Sequence, residues 1–204
     1  MSATDRRTLR GGQAHFFKLL ARLRLTWLLA HLPGRLVWAV YILVNGFVTI
    51  GLLALLAELT HNPFVFPSLG PTAYLFFFSP LAEPSTPRNA ILGHAIALAC
   101  GYAAFSLSGF TAFHNGFPSH ILWPRVLAAA LSLSATGAAM VLLNVNHPPA
   151  GATTLIVSLG IIAQPRYLFI IEAAVVLLTV QAFLINRLAG LPYPIWDRRR
   201  DPPA

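Results

Sequence analysis

The residues best suited to chemistry in this chain form one stretch, Asn144-Val145-Asn146-His147-Pro148-Pro149-Ala150-Gly151-Ala152-Thr153-Thr154. Amides, an imidazole and two hydroxyls stand there between long apolar runs. Two prolines keep the backbone out of regular hydrogen bonding. Irregular polar backbone survives within an apolar zone only where protein buries it or a watery cavity touches it. A short apolar helix, Leu155 to Ala163, is expected to follow.

The stretch has an earlier counterpart. Pro67-x-x-Gly70-x-Thr72 matches Pro148-x-x-Gly151-x-Thr153. His61-Asn62-Pro63 precedes the first, and Asn146-His147-Pro148 leads into the second. Each leads to a short apolar helix, the first over about Pro71 to Phe78. Each is then followed by a Pro-Arg helix start, Pro87-Arg88 or Pro165-Arg166. Paired interrupted segments in matched halves of a membrane chain point to a transport site.

The chemistry follows from helix ends. A helix N-terminus exposes unpaired N–H groups and about half a positive charge. It binds an anion without Lys or Arg. Two such ends, at Ser68–Thr72 and Pro149–Thr153, are expected to meet near mid-membrane. Gly70 and Gly151 allow close approach of backbone and solute. Ser68, Thr72, Thr153 and Thr154 offer hydroxyl donors. Asn62, Asn146 and His147 either cap the ends or contact the solute. The bland alternative is a tight packing turn that Asn146 and His147 merely satisfy.

The elements that must position these residues are apolar helices. The chain is 56% hydrophobic and 10% charged. Its apolar runs each match a bilayer core of about 30 Å. Four long helices are expected, over about 36–59, 87–107, 124–143 and 165–188. Trp38 and Tyr41 suit an interface, and Glu58 a solvated end. Gly93, Ala97 and Gly101 form a small-residue stripe for close packing, as do Ala128, Ser132 and Thr136. The stripes fit a homo-oligomer or a tight monomer equally. His94 beside the first stripe reads either as a packed, hydrogen-bonded residue or as facing a pore. Glu172 is the carboxylate placed well inside a long span, so it is either a functional group or a structural partner.

The fold class is therefore an all-α membrane protein. It has four long transmembrane helices, two short half-membrane helices and an internal two-fold repeat. The domain, residues 36–190, divides into repeats over about 36–108 and 124–190. Re-entrant half-helices, giving four crossings and a parallel repeat, are preferred. The alternative is two broken crossings, six in all, and an inverted repeat.

Outside the domain the charge is basic. Arg6, Arg7, Arg10, Lys18, Arg22, Arg24 and Arg35 precede the first span, and Arg187, Arg198, Arg199 and Arg200 close the chain. The positive-inside rule places both tails in the cytoplasm. Residues 1–14 read as disordered, and residues 15–32 as an interfacial amphipathic helix. Residues 1–35 and 191–204 are thus basic tails lying against lipid heads. A net charge of +8 held in tails does not point to nucleic acid. The loop 109–123, with His114 and His120, has no useful metal spacing. The lone cysteine, Cys100, reads as a small core residue. No hydrolase motif and no pair of aspartates lies in the spans. No enzyme activity, metal or cofactor is expected.

At these residues the sequence resembles the HPP family of membrane proteins, named for His-Pro-Pro, here His147-Pro148-Pro149. The resemblance covers about residues 36–190. It includes Asn146 to Thr153 and the earlier Phe66-Pro67-Ser68-Leu69-Gly70-Pro71-Thr72. It implies a four-span integral membrane protein; residence in the plasma (inner) membrane is expected. Some plastid and cyanobacterial members are linked to nitrite transport. The resemblance therefore implies a transporter or channel for a small monovalent anion, nitrite first. An aquaporin-like pore for neutral solutes and a non-transporting scaffold remain the alternatives.

Overall fold

The computed structural model describes residues 24–108 and 123–197. Among them are seven α-helices: α1 Leu25–His31, α2 Gly34–Thr60, α3 Leu69–Phe78, α4 Pro87–Leu107, α5 Trp123–Leu142, α6 Ala150–Ser158 and α7 Pro165–Leu188. A 3-10 turn spans Glu83–Ser85. No strand occurs among the described residues. Four helices, α2, α4, α5 and α7, are long and apolar enough to cross a membrane. The tails before residue 24 and after 197, and the loop with His114 and His120, lie outside the described residues. Of the expected amphipathic segment, the described part is α1, tied down by Leu25 N–H donating to Ala189 O at 3.0 Å.

Local chemistry sets the boundaries. The Thr86 hydroxyl caps α4 by accepting from Asn89 N–H, and Pro87 takes the first helical position, where its missing N–H costs nothing. Pro165 starts α7 in the same way. The two short helices begin earlier than the apolar runs suggest, at Leu69 and Ala150. Their first turns are the Gly- and Thr-containing motifs themselves, which need no apolar character to be helical. His61 and Asn144, at the ends of α2 and α5, both take a left-handed backbone, with φ of 52° and 53°. Asparagine tolerates this conformation better than most residues do.

Hydrogen bonds fix the direction of every helix. Tyr41 near the start of α2 donates to Asn186 near the end of α7, at 2.7 Å. Arg88 at the start of α4 donates to the carbonyls of Leu143 and Asn144, just past α5. Its backbone N–H bonds Trp196 O. So the starts of α2 and α4 and the ends of α5 and α7 share one end of the bundle. At the opposite end, Arg125 at the start of α5 donates to Leu159 O after α6, and Phe105 near the end of α4 lies against Gly160. Thr60 and Pro87 are thus at opposite ends. The expectation that each interrupted segment turns back to the end it left is corrected: each passes through the bundle. The physical reason is that α3 keeps going. Its carbonyl at Phe76 accepts from Asn186, and those at Leu75 and Ser79 flank Ser85 Oγ, all near the far end.

The bundle is apolar outside and has an apolar core with a polar group set within it. Leu43, Phe47, Leu131, Val141 and Leu184 are exposed on the long helices, whereas Thr72, His94, Thr136, His147 and Thr153 are buried. That pattern suits a hydrocarbon solvent, which rewards no apolar burial but penalises every unpaired polar group. Both small-residue stripes are used within the chain, against α6. A methyl group added at Gly101 would sit 2.8 Å from Thr154 O, and one at Gly93 only 2.7 Å from His147 Cβ.

Candidate functional site

The two short helices bring Thr72 and Thr153, the matched threonines of the motifs, to opposite sides of one imidazole. His94 on α4 bonds Thr72 Oγ1 through Nε2 at 3.0 Å and Thr153 Oγ1 through Nδ1 at 2.8 Å. His147, in the turn before α6, bonds the same Thr72 Oγ1 through Nε2 at 3.2 Å and Pro84 O through Nδ1 at 2.7 Å. The two imidazole rings are 5.1 Å apart. All four side chains are fully buried. No Lys or Arg belongs to this hydrogen-bonded group.

The donors can be assigned from the acceptors. Pro84 O can only accept, so His147 Nδ1 carries a hydrogen, and the neutral ring accepts at Nε2. Thr72 has one hydroxyl hydrogen and two acceptors at 3.2 Å, Ser68 O and His147 Nε2; with the ring neutral, His147 Nε2 has no other donor and takes it. His94 Nε2 must then donate to Thr72, which leaves His94 Nδ1 to accept from Thr153. With both rings neutral, the bonds run in one direction: Thr153 to His94 to Thr72 to His147 to Pro84. Thr72 Oγ1 also lies 3.2 Å from Ser68 O, one turn back, so its hydrogen has a second acceptor in place.

Around this core the remaining candidates divide. Thr154 is buried and faces Thr136 Oγ1 at 2.8 Å, while Thr136 donates to Ser132 O. It therefore seats α6 on α5 rather than touching the imidazoles. Ser68 sits at the start of α3, fully buried, and its hydroxyl has no partner among the described residues. A buried unpaired hydroxyl costs about 1–3 kcal/mol. Gly151 is part-buried, with Leu133 beside it. Gly70 is exposed with open space where a side chain would be. Asn146 is exposed and, with His147, Asn144, Gly137 and Glu83, lines a cavity of about 430 Å³. Asn62 donates to Thr60 O at 2.9 Å and caps the end of α2; no contact joins it to the imidazoles. Glu172 lines a separate apolar groove of about 370 Å³ between α4 and α7. Its two carboxylate oxygens are buried without a hydrogen-bond partner among the described residues. No group of acidic, His and Cys side chains among the described residues could hold a metal.

Sequence reasoning missed three contributors. Pro84 supplies the carbonyl that fixes the His147 tautomer. Thr136, seen only as part of a packing stripe, holds Thr154. Tyr193 donates to Ser85 O, and burial pushes its phenol pKa upward; this clamps the turn that carries Pro84. The signal for Pro84 lay in the Pro-rich stretch before Pro87, but nothing local tied that stretch to His147.

No curated protein and no solved structure matches the chain. A family model described as "HPP, transmembrane region" matches residues 32–194, most of its length. With four long apolar helices around a buried polar centre that contains the His147-Pro148-Pro149 motif, this chain belongs to the HPP family of multi-pass membrane proteins.

Proposed function

We propose that the protein is a transporter or channel for a small monovalent anion, nitrite first, bound where the starts of α3 and α6 converge. One observation carries this reading: the matched threonines of two helix starts meet at a buried centre without Lys or Arg. The unpaired Ser68 hydroxyl supports it. The dipoles of two partly buried helices contribute up to about 2 kcal/mol each to an anion at their starts; the Ala150, Gly151 and Ala152 N–H groups themselves donate to the His147, Pro148 and Pro149 carbonyls. Binding of that order is weak and releases an ion quickly. In the described state the centre is closed, because the hydroxyls and imidazoles bond one another. An anion must therefore replace at least one of those bonds.

The same reading takes the chain as an inverted repeat with six passes, two of them interrupted. The matched left-handed residues His61 and Asn144 and the opposite courses of α3 and α6 support it. The basic tails, and the bond between Leu25 and Ala189 at one bundle end, favour both termini in the cytoplasm and residence in the plasma (inner) membrane. Cysteines placed at positions 4 and 203 that label from opposite sides would overturn that placement.

Flux into liposomes holding purified protein tests the substrate class. Nitrite, nitrate, chloride and formate are compared with urea and glycerol, against protein-free vesicles. The expected result is protein-dependent anion flux with nitrite among the permeant ions. Flux of the neutral solutes alone would favour the aquaporin-like reading, and no flux of any solute would favour a scaffold.

A further inference from the structure

We propose that His147 is a proton-carrying site that couples anion passage to a proton, with the Thr72 hydroxyl switching between His147 and Ser68 as the ring gains and loses charge. This rests on the anion-transport reading above. It adds the coupling ion and the groups that handle it.

The hydrogen-bonded group can absorb one added proton. A proton added at His147 Nε2 turns that atom from acceptor to donor. Its Nδ1–H keeps the Pro84 carbonyl at 2.7 Å. Its new Nε2–H donates to Thr72 Oγ1 at 3.2 Å. The Thr72 hydrogen then rotates to Ser68 O, also 3.2 Å away. His94 Nε2–H continues to donate to Thr72, whose oxygen has two lone pairs. Every donor still has an acceptor, and only one hydroxyl has turned. His94 has no such freedom. Protonating its Nδ1 would turn away the Thr153 hydrogen, and no second acceptor bonds that hydroxyl among the described residues.

Access points to the same ring. The cavity of about 430 Å³ that opens toward the end shared by the starts of α2 and α4 is lined by both His147 and Glu83. Glu83 is exposed and precedes Pro84 in the chain. That carboxylate sets a negative charge at the mouth of the space that reaches His147. It also repels an anion arriving alone.

The other groups facing His147 do not supply a counter-charge. From α4 the ring meets His94, and from α3 it meets Thr72 and Phe76. From α5 the cavity walls are Gly137, Met140 and Val141. Arg88 is engaged by the Leu143 and Asn144 carbonyls and lies 3.8 Å from Asp197. Among the described residues no carboxylate bonds the ring, Glu83 being exposed at the cavity mouth, so a buried imidazolium there is costly. An anion at the helix starts is the missing partner. By linkage, each then favours binding of the other. One proton enters and leaves with each anion, so the net movement is electroneutral; the His147 Nε2–H bond forms as an O–H bond of hydronium breaks, and on release the N–H bond breaks as water takes the proton back.

The test uses the full chain in liposomes with sodium nitrite, reading initial rates above protein-free vesicles. Protein-dependent nitrite flux must be present; its absence defeats the transport reading itself. Given flux, a pH gradient is expected to drive it, and a valinomycin-set voltage at equal pH is not. Voltage-driven flux that ignores the pH gradient would overturn the proposal and leave the transport reading standing. His147→Gln keeps a donor for Pro84 and an acceptor for Thr72 but cannot carry a proton, so it is expected to lose the pH-driven component. Wild-type pH-driven flux in that variant would also overturn the proposal. Should the variant not fold, ¹⁵N-histidine NMR of the wild type decides. Nitrite is expected to raise the protonated fraction of His147, and a ring that stays neutral at every pH where the protein is folded contradicts it.

Discussion

Thr153→Asp is expected to abolish nitrite flux while the protein still inserts, and Thr72→Asp to do the same from the other half of the chain. Both hydroxyls are fully buried and bond His94 from opposite sides. A fixed carboxylate at either place meets the solute at close range. Two unit charges about 4 Å apart at an effective dielectric constant of about 20 repel by roughly 4 kcal/mol, close to a thousandfold in occupancy. Thr153→Ser is the control. It keeps the hydroxyl that donates to His94 and removes one methyl group, a loss of about 1 kcal/mol in stability. Flux is measured in liposomes, with insertion and folding checked by detergent-solubilised size and thermal unfolding. Wild-type flux in both Asp variants would remove these helix starts from the path.

Gly93→Ala is the second large effect, although residue 93 touches no solute. Its added methyl would lie 2.7 Å from His147 Cβ and 3.6 Å from the end of Met140. The Met140 end can move, but His147 Cβ belongs to a turn fixed by two prolines. The turn must shift, and overpacking of this kind costs about 1–3 kcal/mol. The His147 bonds to Pro84 and Thr72 stretch first. Flux is therefore expected to fall by about tenfold or more for each 1.4 kcal/mol lost from the correctly bonded arrangement. Gly137→Ala on α5, where an added methyl meets nothing within 4 Å, is expected to fold normally. Thermal unfolding and flux of the two variants, compared side by side, check this. Equal behaviour would show that the close seat of His147 on α4 does not matter.

Much of the architecture was legible because it rests on composition. Long apolar runs announce spanning helices, and Pro-Arg starts mark where α4 and α7 begin. The Pro-x-x-Gly-x-Thr motifs announced the short helices because proline, glycine and threonine set helix starts locally. The direction of those helices was not legible. Whether α3 turns back or runs on depends on Asn186, Tyr41 and Ser85, which are distant in sequence from the segment they hold. His94 shows the same limit. An apolar span has no polar face to orient it, so its sequence cannot say that His94 stands between two threonines from different halves. For Asn62 the sequence left open a helix cap or a solute contact; its amide is used by the neighbouring carbonyl of Thr60. The glycine stripe on α4 announced close packing and gave no hint that its partner is the short helix α6.

The most direct test of the central claim is to locate an anion in the protein. Crystals of the full chain grown in sodium bromide, measured at the bromine absorption edge, report where a small monovalent anion sits. An anomalous peak is expected between the starts of α3 and α6, within hydrogen-bonding reach of Ser68, Thr72 or Thr153, and it weakens when nitrite is added. Bromide confined to the outer surface, in protein shown to carry nitrite flux, would contradict it.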